Sequence, residues 1–295
     1  MTYDRAVEIL ERLFSEPEIR ESDEPLFIEC LMFLATHDGR DLQGEAQFYL
    51  GEYYSSYDQY DIAEKYWKMG AENGFDACYS GLGDVYCFEE SMKRDYKRAF
   101  EYYSQGAELD NLYCKRRVAE MYRDGQYVEK DLTKFKDLIS ELYISTKDNE
   151  EHWQMYPDIA YQYAEMLYGE DRKSEAAAIY AELLVKFKEF ISYRRYTASI
   201  DYLIKAVDRY YQLFDFEEKD LDLYTMSYLM KNPVMIRFMY NNEPFEVETV
   251  DEEGEIVVRF GEKWFRSVED FYMDAKIGED SITSLAYELY DFEVI

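Results

Sequence analysis

Nucleophilic catalysis needs a Ser or Cys beside a His, and zinc needs Cys or His ligands at close spacing. The chain offers two histidines, His37 and His152, and four cysteines, Cys30, Cys78, Cys87 and Cys114. Neither histidine has a carboxylate or thiol partner at motif spacing, so both read as ordinary turn or surface residues. No two cysteines form a CxxC pair. All four lie in apolar helical contexts, where a thiol behaves as a small hydrophobe, and a reducing cytoplasm is the compartment this suggests. Ser80-Gly81-Leu82-Gly83 lacks the Lys-Ser/Thr that would complete a phosphate loop. Carboxylates are plentiful, 64 acids against 33 bases for a net charge of -31, but nothing marks one pair for acid/base work. Asp251, Glu252, Glu253 and Glu255 lack the spacing of a calcium loop and read as a solvated turn. No catalytic residue, metal or cofactor is expected.

The charge limits the partners instead. A field of this sign repels phosphate backbones and anionic lipid, so direct binding to nucleic acid or membrane is disfavoured, while a basic protein would be steered in. The excess is uneven: residues 215–295 hold 21 acids and 7 bases. Two acidic clusters stand out there, Glu217, Glu218, Asp220 and Asp222, and then Asp251–Glu255. The plain alternative is that the charge serves solubility. The opening MTYDRAVEIL enters a helix without a basic-then-apolar leader, and no run of about 18 apolar residues occurs, so neither a secretory leader nor a membrane span is expected.

The elements are mainly helical. Ala6, Val7, Leu10, Leu13 and Phe14 recur at steps of three and four, as do Leu26, Phe27, Cys30, Leu31 and Leu34, which predicts a helical hairpin closing at His37-Asp38-Gly39. From residue 44 the chain becomes self-similar. AQFYLGEYY (46–54) is answered by CYSGLGDVY (78–86) and CKRRVAEMY (114–122), and AEKYWKMGAENG (63–74) by AFEYYSQGAELD (99–110) and FKDLI (135–139). Small residues at Gly51, Gly83 and Ala119 let two helices approach, Tyr54, Tyr86 and Tyr122 fill the layer beside them, and Gly70 and Gly106 repeat the device in the second helix. A hairpin of this kind cannot bury its face alone, so neighbours must stack. Residues 159–170 and 174–187 predict a further, generic hairpin, and 190–214 a long helix capping the stack.

The repeated pattern resembles the Sel1-like repeat, a branch of the tetratricopeptide group, with its small-x-x-x-Leu-Gly-x-x-Tyr first helix and Ala-x-x-x-Trp/Tyr second helix. RDGQYVEKDLTK (123–134) resembles the family's connecting loop, and KRDYKRA (93–99) its latter part. Repeat one lacks those loop residues, and repeat three carries Phe135 and Ile139 in place of the small and aromatic second-helix positions. The resemblance implies an α-solenoid whose binding groove is lined by first-helix positions. Carried over, these are Phe48, Glu52 and Ser55, then Ser80, Asp84 and Cys87, then Arg116, Glu120 and Arg123. Arg116 and Arg123 are basic residues on one helix face of an acidic protein; they either hold a partner's carboxylate or pair with acids of the neighbouring hairpin.

Composition changes at 215–222, which places a domain boundary between a solenoid at 1–214 and a small acidic α+β domain at 215–295. Ile236, Phe238 and Tyr240, then Phe245, Val247 and Thr249, then Ile256, Val258 and Phe260 alternate with period two and predict a three-stranded antiparallel meander. Helices are expected at 268–275 and 282–289. Three functional readings follow. The first is a non-enzymatic protein–protein interaction adaptor or regulator, with homo-oligomerisation open. The second is an acidic inhibitor, of the toxin-immunity or phage anti-defence type, that blocks a basic nuclease or another nucleic-acid-binding partner. The third is an enzyme with a carboxylate site in the C-terminal domain.

Overall fold

The structure, a computed structural model, describes residues 1–15, 23–36, 42–88, 93–149, 152, 155–194, 200–217 and 221–295, without the side chains of 15 and 187–194. It divides into two compact units, Met1–Leu142 and Tyr143–Ile295. The composition change near 215 therefore falls inside the second unit. The expected closure at His37-Asp38-Gly39 lies outside the described residues. Among the described residues no helix is long and apolar enough to cross a membrane.

The first unit begins with α1 (Tyr3–Ser15) and α2 (Glu24–Ala35), which share a core of Ala6, Leu10, Cys30, Leu31 and Leu34 with Leu50 of the next helix. Three hairpins follow: α3 (Gln43–Ser56) with α4 (Tyr60–Glu72), α5 (Cys78–Cys87) with α6 (Tyr96–Glu108), and α7 (Leu112–Asp124) with α8 (Leu132–Thr146). Their periodicity is reproduced in the packing. Trp67 of α4 is buried in the space left by Gly51 of α3 and Gly81 of α5; a methyl group on either glycine would lie closer than 3.0 Å to the indole. One repeat on, Tyr103 of α6 occupies the space over Gly83. Likewise a Cβ at Gly70 would strike Cys78, and one at Gly106 would strike Cys114, so the same glycine–cysteine contact recurs one repeat on.

The hairpin loops close on the same atom each time. The carbonyl oxygen of Tyr54 accepts from the Gln59 N–H at 2.9 Å, that of Tyr86 from Asp95 at 2.8 Å, and that of Tyr122 from Asp131 at 2.9 Å. The two longer loops add a cap: the Asp95 carboxylate accepts from the N–H groups of Lys97 and Arg98, and the Asp131 carboxylate from Thr133 and Lys134. These satisfy backbone donors that a helix start leaves open. Gly125, with φ of 73°, ends α7 in the left-handed region. In the third hairpin Phe135 and Ile139 are buried, so larger apolar residues fill that layer.

The second unit has α9 (Tyr156–Gly169), α10 (Lys173–Arg194) and α11 (Ile200–Leu213), then a short α12 (Met226–Leu229). The expected helices at 174–187 and 190–214 are thus apportioned differently, α10 continuing through the expected break. Arg209 of α11 grips Glu165 of α9 through two nitrogens at 2.8 and 2.9 Å, and the Tyr180 hydroxyl of α10 donates to the same carboxylate at 2.5 Å. One half-buried carboxylate therefore ties three helices together.

The meander is present as β1 (Val234–Tyr240), β2 (Glu243–Glu252) and β3 (Glu255–Phe260), joined by two-residue turns at Asn241-Asn242 and Glu253-Gly254. Asn241, Asn242, Glu253 and Gly254 all have positive φ, which matches the right-handed twist of the flanking strands. Two strands extend it, β4 (Lys263–Phe265) beside β3 and β7 (Tyr290–Val294) beside β1, giving the order β4-β3-β2-β1-β7. A separate hairpin of β5 (Lys276–Ile277) and β6 (Asp280–Ser281) follows α13 (Val268–Asp274). The helix expected at 282–289 is instead a short 3-10 turn, Ile282–Leu285, after which the chain enters β7. Ile282, Leu285 and Leu289 are buried as expected, but by a turn and a strand entry.

Candidate functional site: the face shared by α3, α5 and α7

The first helices of successive hairpins touch one another, and their common face carries the residues that the repeat pattern singled out. Phe48 of α3 is partly buried, its ring 5.5 Å from Phe75 and 5.3 Å from Tyr49. One turn on, Glu52 reaches solvent and makes no hydrogen bond or ion pair. Protein nonetheless surrounds it, and this desolvation, with the Asp84 carboxylate as the second cause, pushes it up to about 7.

Asp84 of α5 is held by two phenols. The Tyr103 hydroxyl donates to Oδ1 at 2.5 Å, and the Tyr113 hydroxyl lies 2.9 and 3.0 Å from its two oxygens. Burial raises the Asp84 carboxyl, opposed by these hydroxyls and by Arg117 and Arg116. Burial likewise raises Tyr103 and Tyr113, with Asp84 as the next cause, so both stay protonated donors.

On α7, Glu120 is the acceptor for two guanidiniums. Arg116 donates to its Oε1 at 2.5 Å and Arg117 donates to its Oε2. Arg116 and Glu120 are 7% and 6% exposed, so this pair is interior, and Arg116 also lies 5.0 Å over the Tyr113 ring. Arg117 spans the rings of Phe88 and Tyr103 at 4.9 and 5.4 Å, and donates to Cys87 Sγ at 3.0 Å. Arg123, the other basic residue of the expected groove, pairs with Asp124 at 2.8 Å and lies 5.7 Å from the Phe135 ring centroid. Both arginines thus meet acids of their own helix, where the neighbouring hairpin had been the expected source. Ser80 bonds back to the Ala77 carbonyl within α5, as the helical setting of Ser80–Gly83 requires.

Sequence reasoning missed Tyr103, Tyr113 and Arg117. Tyr103 occupies the repeat's second-helix aromatic position, so its burial was legible, but its hydroxyl's reach to Asp84 depends on the neighbouring helix. Tyr113 and Arg117 sit beside residues that were named, and carried no signal of their own.

The acidic clusters are elsewhere. Asp222 accepts from the Tyr224 and Thr225 N–H groups at 2.9 and 2.8 Å, and Asp251 from the Gly254 N–H at 2.8 Å, so each organises its own turn. Glu217, Glu252, Glu253 and Glu255 are exposed, and Glu218 and Asp220 lie outside the described residues. The four cysteines are free and buried. Among the described residues no group of His, Cys, Asp and Glu is placed to hold a metal ion.

No family model and no curated protein matches the chain. Among solved structures, a Sel1 repeat protein from Oxalobacter formigenes is similar at 25% identity and a TM-score of 0.32, over 39% of this chain and 88% of that one. The c5321 protective antigen of uropathogenic Escherichia coli, which displays an SLR fold, is similar at 18% identity and a TM-score of 0.40, over 68% of this chain and 48% of that one. The chain is thus similar to Sel1-like repeat proteins. In its own first unit the repeat consists of paired helices whose small residues seat the next layer, closed by a tyrosine carbonyl and stacked so that the first helices present one common face.

Proposed function

We propose that the protein is a non-enzymatic interaction module, an adaptor or regulator, whose contact surface is the face shared by α3, α5 and α7. One observation carries the reading. Asp84 is satisfied by two phenols, Glu120 by two guanidiniums and Arg123 by Asp124, which leaves Glu52 as the charged residue of the expected groove with no partner among the described residues. A closed polar network fixes its members rigidly and leaves them poorly placed to move protons in catalysis. It suits a preorganised docking surface with one open contact, and an open carboxylate calls for a lysine or arginine on the partner.

A photo-crosslinking residue at position 52, compared with one at exposed Lys65 on α4, tests this. Capture of the same partner at 52 and not at 65, lost in Glu52→Lys, is the expected result. Equal capture at both positions, or capture unaffected by Glu52→Lys, would sink the proposal. Because Glu52 gains its charge only as pH rises through about 7, binding should strengthen over that interval. A carboxyl titration by NMR with a midpoint near the usual glutamate value would remove the pH argument.

A further inference from the structure

A cavity of about 810 Å³ lies at one end of the five-stranded sheet, well away in sequence from the repeats, and falls within the range of about 300–1,000 Å³ typical of small-molecule sites. The sheet makes it by being uneven. The β2–β3 ladder stops at the Val247–Phe260 pair, so the first residues of β2 overhang the end of β3. After Phe260 the chain turns back through Gly261-Glu262, with Phe260 pairing Lys263, and the start of the β5–β6 hairpin, Lys276–Gly278, forms the facing wall. Phe245 and Phe260 supply an apolar floor, their ring centroids 6.2 Å apart.

The charges of this cavity are unusual for the unit. Glu246 and Glu248 are neutralised by Arg237 and Arg259 at 2.7 and 2.5 Å. Among the described side chains of the second unit, every other lysine and arginine is ion-paired apart from Lys263, Arg266 and Lys276. Two of those three line the cavity, and so do two unpaired acids, Glu243 and Glu262. The lining thus offers two open cations and two open anions around an aromatic floor, in a segment that is otherwise strongly acidic.

We propose that this cavity binds a small zwitterion with a large apolar side chain, either a free α-amino acid or a dipeptide. Lys263 and Lys276 meet the carboxylate, Glu243 and Glu262 meet the ammonium, and the side chain lies on Phe245 and Phe260. A ligand carrying only one charge would leave the opposite pair of lining residues desolvated without a partner, a loss worth about tenfold in affinity. The inference is independent of the helical face, so either can fail alone.

The test is calorimetric titration of the full chain with L-phenylalanine, N-acetyl-L-phenylalanine, phenethylamine, and the dipeptides Gly-Phe and Phe-Gly. L-phenylalanine or a dipeptide should bind about tenfold or more tightly than either single-charge analogue, and the Lys263→Met/Lys276→Met variant should lose that binding. Tighter binding of a dipeptide assigns the dipeptide, and tighter binding of L-phenylalanine the free amino acid. Phe245→Ser should weaken every zwitterion while leaving the surface charges in place. The proposal is overturned if no zwitterion binds up to about 20 mM, a generous ceiling for a site of this size. It is equally overturned if the single-charge analogues bind as well, or if the lysine variant binds unchanged.

Discussion

Replacing Gly83 by Ala adds one methyl group at the point where α5 meets the Tyr103 ring. That methyl would lie closer than 3.0 Å to the ring, and Tyr103 is fully buried, with its hydroxyl anchored on Asp84 at 2.5 Å. The ring must shift or the helices must separate. Overpacking of this kind costs about 1–3 kcal/mol, and a ring shift that also breaks the charge-assisted bond adds about 1.5–3 kcal/mol. A total of about 2.5–6 kcal/mol is therefore expected. Tyr103→Phe separates the two parts: it keeps the ring and removes the donor, leaving Asp84 with Tyr113 alone. Gly169 is the control, since a Cβ there meets nothing within 4 Å and the residue ends α9. Gly169→Ala should be neutral or stabilising by up to about 0.5–1 kcal/mol. Hydrogen exchange resolved by peptide is the assay, because it reads the first unit apart from the second. Protection across α5 and α6 should fall by about thirtyfold or more in Gly83→Ala, and should not fall in Gly169→Ala. Equal behaviour of the two variants would refute the packing argument on which the repeat assignment rests.

Two further outcomes follow from the charged networks. Burial tends to raise Glu64, but hydrogen bonds from Lys68, Lys93 and Tyr86 outweigh it and hold the carboxyl at about 2. A carboxyl lowered from its usual 4.5 contributes stability that is complete above 4.5 and is lost as pH falls toward 2. Glu64→Gln should therefore cost about 2 kcal/mol at neutral pH, after discounting the half-exposed Lys68, with the difference closing near pH 2 in acid-denaturation curves. In the second unit, Arg209→Met leaves the Glu165 carboxylate with the Tyr180 hydroxyl as its remaining anchor. A loss of about 1–3 kcal/mol is expected in the exchange of α9, α10 and α11, with α3–α7 unchanged.

The helical array was largely written in local spacing. A 36-residue recurrence of Gly70 with Gly106 and of Cys78 with Cys114 needs no knowledge of the partner helix, because a small residue at a fixed place in each repeat serves one purpose: it makes room. The meander was equally legible, since Ile236 and Phe238, Phe245 and Val247, and Val258 and Phe260 recur with period two and the Asn-Asn turn accepts positive φ. The end of the chain was not. β7 has the sequence YDFEV, which alternates apolar and acidic residues over only five positions, and the three-and-four spacing of Ile282, Leu285 and Leu289 just before it reads as a helix; Phe292 reaches the aromatic row, 5.2 Å from Phe238.

The candidate site shows the same division. Position within the repeat placed Phe48, Glu52, Asp84, Arg116 and Glu120 on first-helix faces, and it could do so because helical periodicity fixes direction along one element. It could not say that Arg116 is interior, that two tyrosines from other helices complete the network, or that Glu52 is left over. Those facts depend on which side chains from separate helices converge, and convergence is set by packing between elements. Local spacing specified the repeat and its faces, because periodicity acts within one element; packing between helices settled which charges on them were already answered.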